Sequence, residues 1–424
     1  MKKNILVFPC GSEIGLNIYS SVRYSTYFHL IGASSVEDHG MFIYDDYIGG
    51  MPYITEESFI PALKTIISER RIDAIYPAMD KVISFLKINE EEIGCKVIAP
   101  EKTTTEICLS KRNTYEALKD VILTPHLYTP SQVNTYPVFV KPNIGYGAIG
   151  AKKIENANEL ADILSVKKDM LVLEYLPGEE YTVDCFTDKD GNLLYCAARS
   201  RNRVKNGVSI NTSFVNDQSE FIEIARKINS QISFRGAWFY QVKRNQDGNL
   251  CLLEIAARLG GSSLLSRAIG VNLALLTLFD AFDYKVSIQV NDSYSVILDR
   301  VLSNNYIYKD LSFSKVFVDY DDCLILDKCT VNADLVRFLY KCINEGKKII
   351  LLTKHAGELK PELKRYRLSC LFDEIIHIRR DEKKSSYIDT KDAIFFDDSF
   401  AERVEVQKDT GISVFSPEMV DVLL

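Results

Sequence analysis

Residues 140–150 read VKPNIGYGAIG: a short apolar strand, a lysine at 141 and three glycines at 145, 147 and 150. Glycines let a backbone close over an anion without a Cβ in the way, and a neighbouring lysine neutralises its charge. Taken alone, the stretch would also suit a hairpin turn beside a surface lysine. Its surroundings argue otherwise. LVLEYLPGEEYTVD follows at 171–184, with Glu174 and Glu180 flanking a Pro-Gly turn. GAWFYQVKRNQDGNLCLLEIAARLGGSS at 236–263 is a predicted hairpin that carries Gln241 and Glu254 on facing strands. The segment thus holds a lysine, a glycine loop and oxygen-bearing side chains in one ordered run. Phosphoryl transfer asks a protein for little more than such positioning and charge neutralisation.

A second constellation lies near the C-terminus. KVFVDYDDCLI (315–325), IILLTK (349–354) and DAIFFDDSFAER (392–403) are apolar strands that each end in acids or a hydroxyl. Strands buried on both faces belong to parallel sheets, and acids at their carboxyl ends place negative charge where Mg²⁺, which prefers oxygen ligands, can be held.

The chain has 424 residues, 46% hydrophobic and 26% charged, enough for roughly three domains at about 150 residues each. A net charge of −7 and the lack of a basic stripe interleaved with aromatics argue against nucleic acid and against anionic membranes. The apolar run in MKKNILVFPCGSE is shorter than the ~7–15 residues of a signal-peptide core, and a polar turn follows at once, so it is expected to be a first strand. No apolar run approaches the ~20 residues of a membrane span. The ten cysteines are scattered singly with no C-x-x-C, as in a cytoplasmic enzyme with reduced thiols, and the five histidines have no metal-ligand spacing.

Strand and helix alternate through the first hundred residues: NILVFP, EESFIPALKTIISERR, IDAIYPAMD and CKVIAP. That order predicts a parallel, doubly wound sheet. CGSEIG at 10–15 lacks the third glycine of a dinucleotide fingerprint, so it is taken as a tight strand-to-helix turn. From about residue 106 the pattern becomes strand-rich, predicting an antiparallel α+β body. One apolar helix is expected over SLLSRAIGVNLALLTLFDAFD (263–283), and the polar segment 301–313 is expected to be a linker. In AARSRNRVKNGVS, Arg199, Arg201 and Arg203 alternate and so would share one strand face, with Arg201 the expected substrate contact because a guanidinium fork suits a carboxylate.

The ordered motifs over about residues 1–300 resemble the ATP-grasp superfamily, in the branch of carbamoyl phosphate synthetase large subunits and carboxylate–amine ligases. That resemblance implies an N-terminal Rossmann-like pre-ATP-grasp domain (1–105) and an ATP-grasp domain (106–300) with a lid subdomain over about 112–180. It implies that Lys111 and Lys141 contact ATP phosphates and that the loop with Gly145, Gly147 and Gly150 closes over them. Glu174 to Leu176 would line the adenine and Glu180 would hold the ribose. Gln241 and Glu254 would hold Mg²⁺, and Arg258 would face the reacting phosphoryl group or the substrate carboxylate. The family's usual Glu-x-Asn metal strand is here Glu254-Ile255-Ala256, so one common ligand is missing. Residues 314–424 resemble the haloacid dehalogenase superfamily, a Rossmannoid fold. There the resemblance implies Asp319 as nucleophile, Asp321 as general acid/base, Thr353 as phosphate ligand and Lys384 as the charge-balancing lysine, in preference to Lys354 and Lys383. Asp319, Asp397 and Asp398 would hold Mg²⁺, and Cys323 stands where Thr or Val is usual. The intervals from Asp319 to Thr353 and on to Lys384 leave no room for a large cap. The implied activity is ATP-dependent joining of a small carboxylate to an amine through an acyl-phosphate, with a fused phosphatase-like domain. A small-molecule kinase and a nucleotide-binding regulatory module are the alternatives, and monomer and homodimer are both open.

Overall fold

The computed structural model describes residues 2–145, 147–291, 294–301, 306 and 311–424. Of the expected linker over 301–313, residues 302–305 and 307–310 lie outside the described residues, as does Tyr146 of the glycine loop. The chain divides into two compact units, Met1–Leu302 and Ser303–Leu424. Among the described residues no helix is long and apolar enough to cross a membrane.

The first unit begins with a five-stranded, all-parallel sheet. Its spatial order is Tyr47–Ile48, Phe28–Ala33, Lys3–Phe8, Ala74–Pro77 and Lys96–Val97. Ile5, Leu6 and Val7 on the central strand are fully buried, and successive residues feed separate apolar clusters on the two faces. The turn after this strand is tight for packing reasons. A Cβ on Gly11 would lie 2.0 Å from the Asp38 carboxyl group, and one on Gly15 would lie 2.3 Å from the Cys10 carbonyl. Ser12 caps the helix Glu13–Val22 by accepting from the Gly15 amide.

The body of this unit is an antiparallel sheet in the order Leu193–Ser200, Glu180–Thr187, Gly236–Arg244, Leu250–Ala256. Trp238, 1% exposed, anchors its core by stacking on Phe234 and donating to the Thr187 hydroxyl. A second antiparallel sheet, Leu127–Tyr128, Met170–Glu174, Val138–Pro142 and Lys152–Ile154, carries the glycine loop between its last two strands.

Two local expectations are overturned. The apolar helix over 263–283 is two helices, Leu264–Ala268 and Leu273–Ala281. Gly270 between them takes φ +94°, outside the helical region, and the Asn272 side chain caps the second helix by accepting from the Leu275 amide. The three arginines do not share a strand face. Arg199 lies on a strand that ends at Ser200, Arg201 follows it, and Arg203 opens a strand of a different sheet, where it pairs with Asp299. Strand alternation cannot run through a chain reversal.

The second unit is another all-parallel sheet, in the order Glu374–His377, Lys348–Thr353, Lys315–Val318, Ala393–Phe396, Ser413–Phe415. The order reverses at the central strand, so the carboxyl ends of Lys315–Val318 and Ala393–Phe396 flank a topological switch point, the usual place for a ligand crevice. Asp319 and Asp397 follow those two strands directly. Between Asp319 and the helix Ala333–Asn344 the chain forms a small hairpin, Ile325–Leu326 with Thr330–Val331, which was not anticipated in the sequence. The crossover from Thr353 to Lys384 holds the helix Leu359–Arg365 and the strand Glu374–His377.

Candidate functional sites

In the first unit a cavity of about 430 Å³ is lined by Lys111, Lys141, Gly145, Gly147, Glu174, Leu176, Glu180, Arg201, Gln241 and Glu254. Lys111 starts a helix capped by Ser110; its Nζ donates to the Gly145 carbonyl and lies 3.7 Å from Glu254 Oε2. Lys141 is 7% exposed and donates to the Leu253 carbonyl at 2.8 Å, with the Tyr115 ring centroid 5.4 Å away. Burial pulls its pKa down to about 8; Glu254 opposes that shift and Lys111 reinforces it. Gln241 and Glu254 are directly paired across adjacent strands, so two oxygen-bearing side chains sit side by side.

Not every expected residue is placed alike. Gly150 is absent from the cavity lining: its φ of +82° is one a Cβ-bearing residue rarely adopts, and a Cβ there would crowd Pro142 and Lys167. Glu180 pairs with Arg201 at 2.9 Å, and Arg201 also donates to the Gly207 carbonyl. Arg258 lies in a second cavity of about 350 Å³ that shares Lys111, Gly145, Gly147, Arg201, Gln241 and Glu254 with the first. There its guanidinium forms two parallel bonds to Asp80, both 2.8 Å, over the Phe239 ring. Ala256 also lines this second cavity and offers no ligand atom. Sequence reading missed Asp80, Glu13 and Ser12, which the first sheet's loops bring to this cavity. Asp80 ends the predicted strand IDAIYPAMD, and that terminal acid was the one signal of it.

In the second unit Lys384 donates to Asp319 Oδ1 at 2.7 Å and Asp397 Oδ2 at 2.6 Å. All three are nearly inaccessible, at 2%, 5% and 1% exposure. Carboxylate oxygens of Asp319, Asp397 and the exposed Asp398 lie within 4.8 Å of one another, close enough to share a cation. Burial pushes Asp397 up to about 6 and raises Asp319, in each case against the pull of Lys384. Burial also works against the Lys384 ammonium, but the two carboxylates outweigh it and hold that lysine above its ordinary range. Thr353 is buried at the end of the adjacent strand. The rival lysines are engaged elsewhere, Lys354 with Glu402 and Lys383 with Asp409. The Asp321 carboxylate accepts from His355 Nδ1, which is 3.0 Å from both of its oxygens. Nothing in the spacing of the five histidines pointed to that partner.

Residues 166–299 match a family model described as ATP-grasp in the biosynthetic pathway with Ter operon. Solved structures of similar fold include an L-amino acid ligase from Bacillus licheniformis, 17% identical with TM-score 0.55, covering 66% of this chain and 74% of that one. A second is an N5-carboxyaminoimidazole synthetase from Staphylococcus aureus complexed with ADP, 15% identical with TM-score 0.58, covering 71% and 83%. A third is the biotin carboxylase domain dimer of the Hydrogenobacter thermophilus 2-oxoglutarate carboxylase with MgADP, ADP and bicarbonate, 18% identical with TM-score 0.58, covering 69% and 72%. No curated protein matches the sequence. The chain thus carries an ATP-grasp fold, mixed α/β with several sheets.

Proposed function

We propose that the first unit is an ATP-dependent carboxylate–amine ligase that releases ADP, built as a Rossmann-like domain (1–105) and an ATP-grasp domain (106–300). The carrying observation is the convergence of Lys111, Lys141, two loop glycines, Gln241 and Glu254 on one cavity from separate elements. ATP fits with its phosphates on Lys111 and Lys141, under the loop of Gly145 and Gly147. Its adenine lies against Glu174 to Leu176, and its ribose lies at Glu180. The paired Gln241 and Glu254 suit Mg²⁺, which keeps several waters and so tolerates Ala256. Held by Gln241 and Glu254, the metal would supply neutralisation of phosphate charge.

The substrate carboxylate oxygen attacks the γ-phosphorus, the bond to the β-phosphate oxygen breaks, and ADP leaves. The amine then attacks the acyl carbon, loses a proton to water and expels phosphate. Splitting amide formation in this way makes each half easier. Lys111, Lys141 and Arg258 supply the positive charge that stabilises the charge that develops. The small-molecule neighbours named above, the L-amino acid ligase first among them, support this substrate class.

The second unit is proposed to be a haloacid-dehalogenase-like phosphatase domain over 314–424, supported by the Asp319, Asp397 and Lys384 cluster at its switch point. Asp319 would attack phosphorus and form an aspartyl-phosphate while Asp321 gives its proton to the leaving alkoxide. Asp321 would then take a proton from the attacking water. Asp319, Asp397 and Asp398 suit Mg²⁺, which would shield the phosphoryl oxygens.

The test is Mg²⁺-dependent ADP release from the full chain across pairs of carboxylic acids and amines, with the product weighed by mass spectrometry. A mass equal to both components less water supports ligation. A phosphorylated acid released without coupling assigns kinase chemistry, and AMP in place of ADP refutes the acyl-phosphate route.

A further inference from the structure

The second cavity contains a cation that the ligase reading leaves unused. Arg199 is 2% exposed and lines that cavity but not the nucleotide cavity. Its Nε donates to Asp184 Oδ2 at 2.8 Å and its Nη2 reaches Oδ1 at 3.5 Å, while Nη1 has no hydrogen-bond partner among the described residues. Asp184, 1% exposed, fixes the guanidinium from one edge. The cavity's other two arginines are committed: Arg258 spends Nε and Nη2 on Asp80 and Nη1 on the Leu259 carbonyl, and Arg201 pairs with Glu180 and donates to the Gly207 carbonyl. The chain also keeps side chains away from Arg199. A Cβ on Gly260 would lie 2.8 Å from both Arg199 Nη2 and Asp184 Oδ1. An ion pair kept only for stability gains little over an apolar pair of the same shape, and leaving spare buried donors beside a cavity makes it worse.

We propose that Arg199 anchors a substrate carboxylate other than the one being activated. This rests on the ligase reading of the same site. The activated carboxylate must sit where the two cavities meet, at Lys111, Gln241 and Glu254, because the γ-phosphoryl group is delivered there. Arg199 belongs to the far cavity alone, so it meets a different group on the substrate. A planar fork held from one edge has its other edge left for a carboxylate, which favours that group over a neutral amide. The second carboxylate can belong to the activated acid, making it a dicarboxylate, or to the amine component, making it an amino acid.

The experiment uses the full chain with MgATP and four probe sets: dicarboxylic acids, monocarboxylic acids of matched length, amino acids, and the corresponding amino acid amides. Variants are Arg199→Lys, which keeps the charge without the fork, and the double variant Arg199→Gln with Asp184→Asn, which keeps a hydrogen-bonded neutral pair if the single change fails to fold. Preference for a dicarboxylate over its monocarboxylic match places the anchor on the activated acid, and preference for an amino acid over its amide places it on the amine. In either arm the variants should raise KM for the carboxylate-bearing component about tenfold or more, with kcat and the affinity for a non-hydrolysable ATP analogue little changed. Equal KM changes for carboxylate-bearing and carboxylate-free probes would overturn the proposal. So would a wild-type chain that binds the analogue but neither turns over nor gains thermal stability with any dicarboxylate or amino acid. A chain that fails to bind the analogue refutes the ligase reading instead; thermal stabilisation of that chain by a dicarboxylate or amino acid, lost in the variants, would still support the anchor.

Discussion

Nucleotide affinity should fall with rising pH from about 8, far below the range in which an exposed lysine titrates. Lys141 is the cause: burial pulls its pKa down to about 8 in the empty cavity, against an ordinary value of about 10.4. An ATP phosphate needs the ammonium, so the analogue binds the protonated form. Above pH 8 binding must first recharge the lysine, and each further pH unit weakens it about tenfold until the pKa of the complex is passed. If phosphate contact restores an ordinary lysine pKa, the total loss is roughly two pH units of binding, about 3 kcal/mol. The assay is calorimetric titration of a non-hydrolysable MgATP analogue from pH 7 to 9.5, a window that opens above the second phosphate ionisation near about pH 6. The Lys141→Met variant should bind weakly at pH 7 and show no slope, since its cavity has lost the titrating group. Constant affinity up to pH 9.5 in the wild type, or the same slope in the variant, would refute the reasoning.

Other consequences concern both sites. Glu254→Ala should abolish ADP release, a loss on the order of 10²–10³ or more, because it removes the only carboxylate of the Gln241–Glu254 pair; near-normal turnover would remove Glu254 from the metal site. Ala256→Asn should lower the Mg²⁺ concentration needed for half-maximal rate, since a side-chain oxygen replaces a mobile water, and an unchanged Mg²⁺ curve would mean that residue 256 does not face the ion. Lys384→Met leaves Asp319 and Asp397 buried together and should destabilise the second unit by about 3–5 kcal/mol at pH 7. Its carboxylates, already raised by burial, bind more protons folded than unfolded, so the deficit measured by urea denaturation should shrink as pH falls from 7 towards 5; a deficit independent of pH would contradict that account. Asp319→Asn in the full chain should remove Mg²⁺-dependent hydrolysis of p-nitrophenyl phosphate, and retained hydrolysis would move the nucleophile elsewhere.

The residues that are legible in the sequence share one property: their geometry follows from position along a strand. Asp319, Thr353 and Asp397 group together on sequence alone because each ends an apolar strand, and parallel strands bring their carboxyl ends to one edge. Gln241 and Glu254 follow from hairpin register in the same way. Where the local period is interrupted, reading fails. Arg199, Arg201 and Arg203 look like one face, but the strand ends at Ser200, and Gly270 with Asn272 divides a continuous apolar run. The far cavity is the least legible part, because it is made of pairs set by tertiary packing. Asp80 meets Arg258 across 178 positions, and Asp184 holds Arg199 diagonally between adjacent strands, where the register partner of Arg199 is Thr182 and that of Asp184 is Ala197. The split follows the chemistry. Phosphate handling needs a glycine loop, lysines and acids at strand ends, all local devices, whereas choosing a substrate needs charges aimed from several directions at once. A sequence therefore discloses the nucleotide half of such a site earlier than the half that decides which carboxylate is used, and Arg199 stands in the second half.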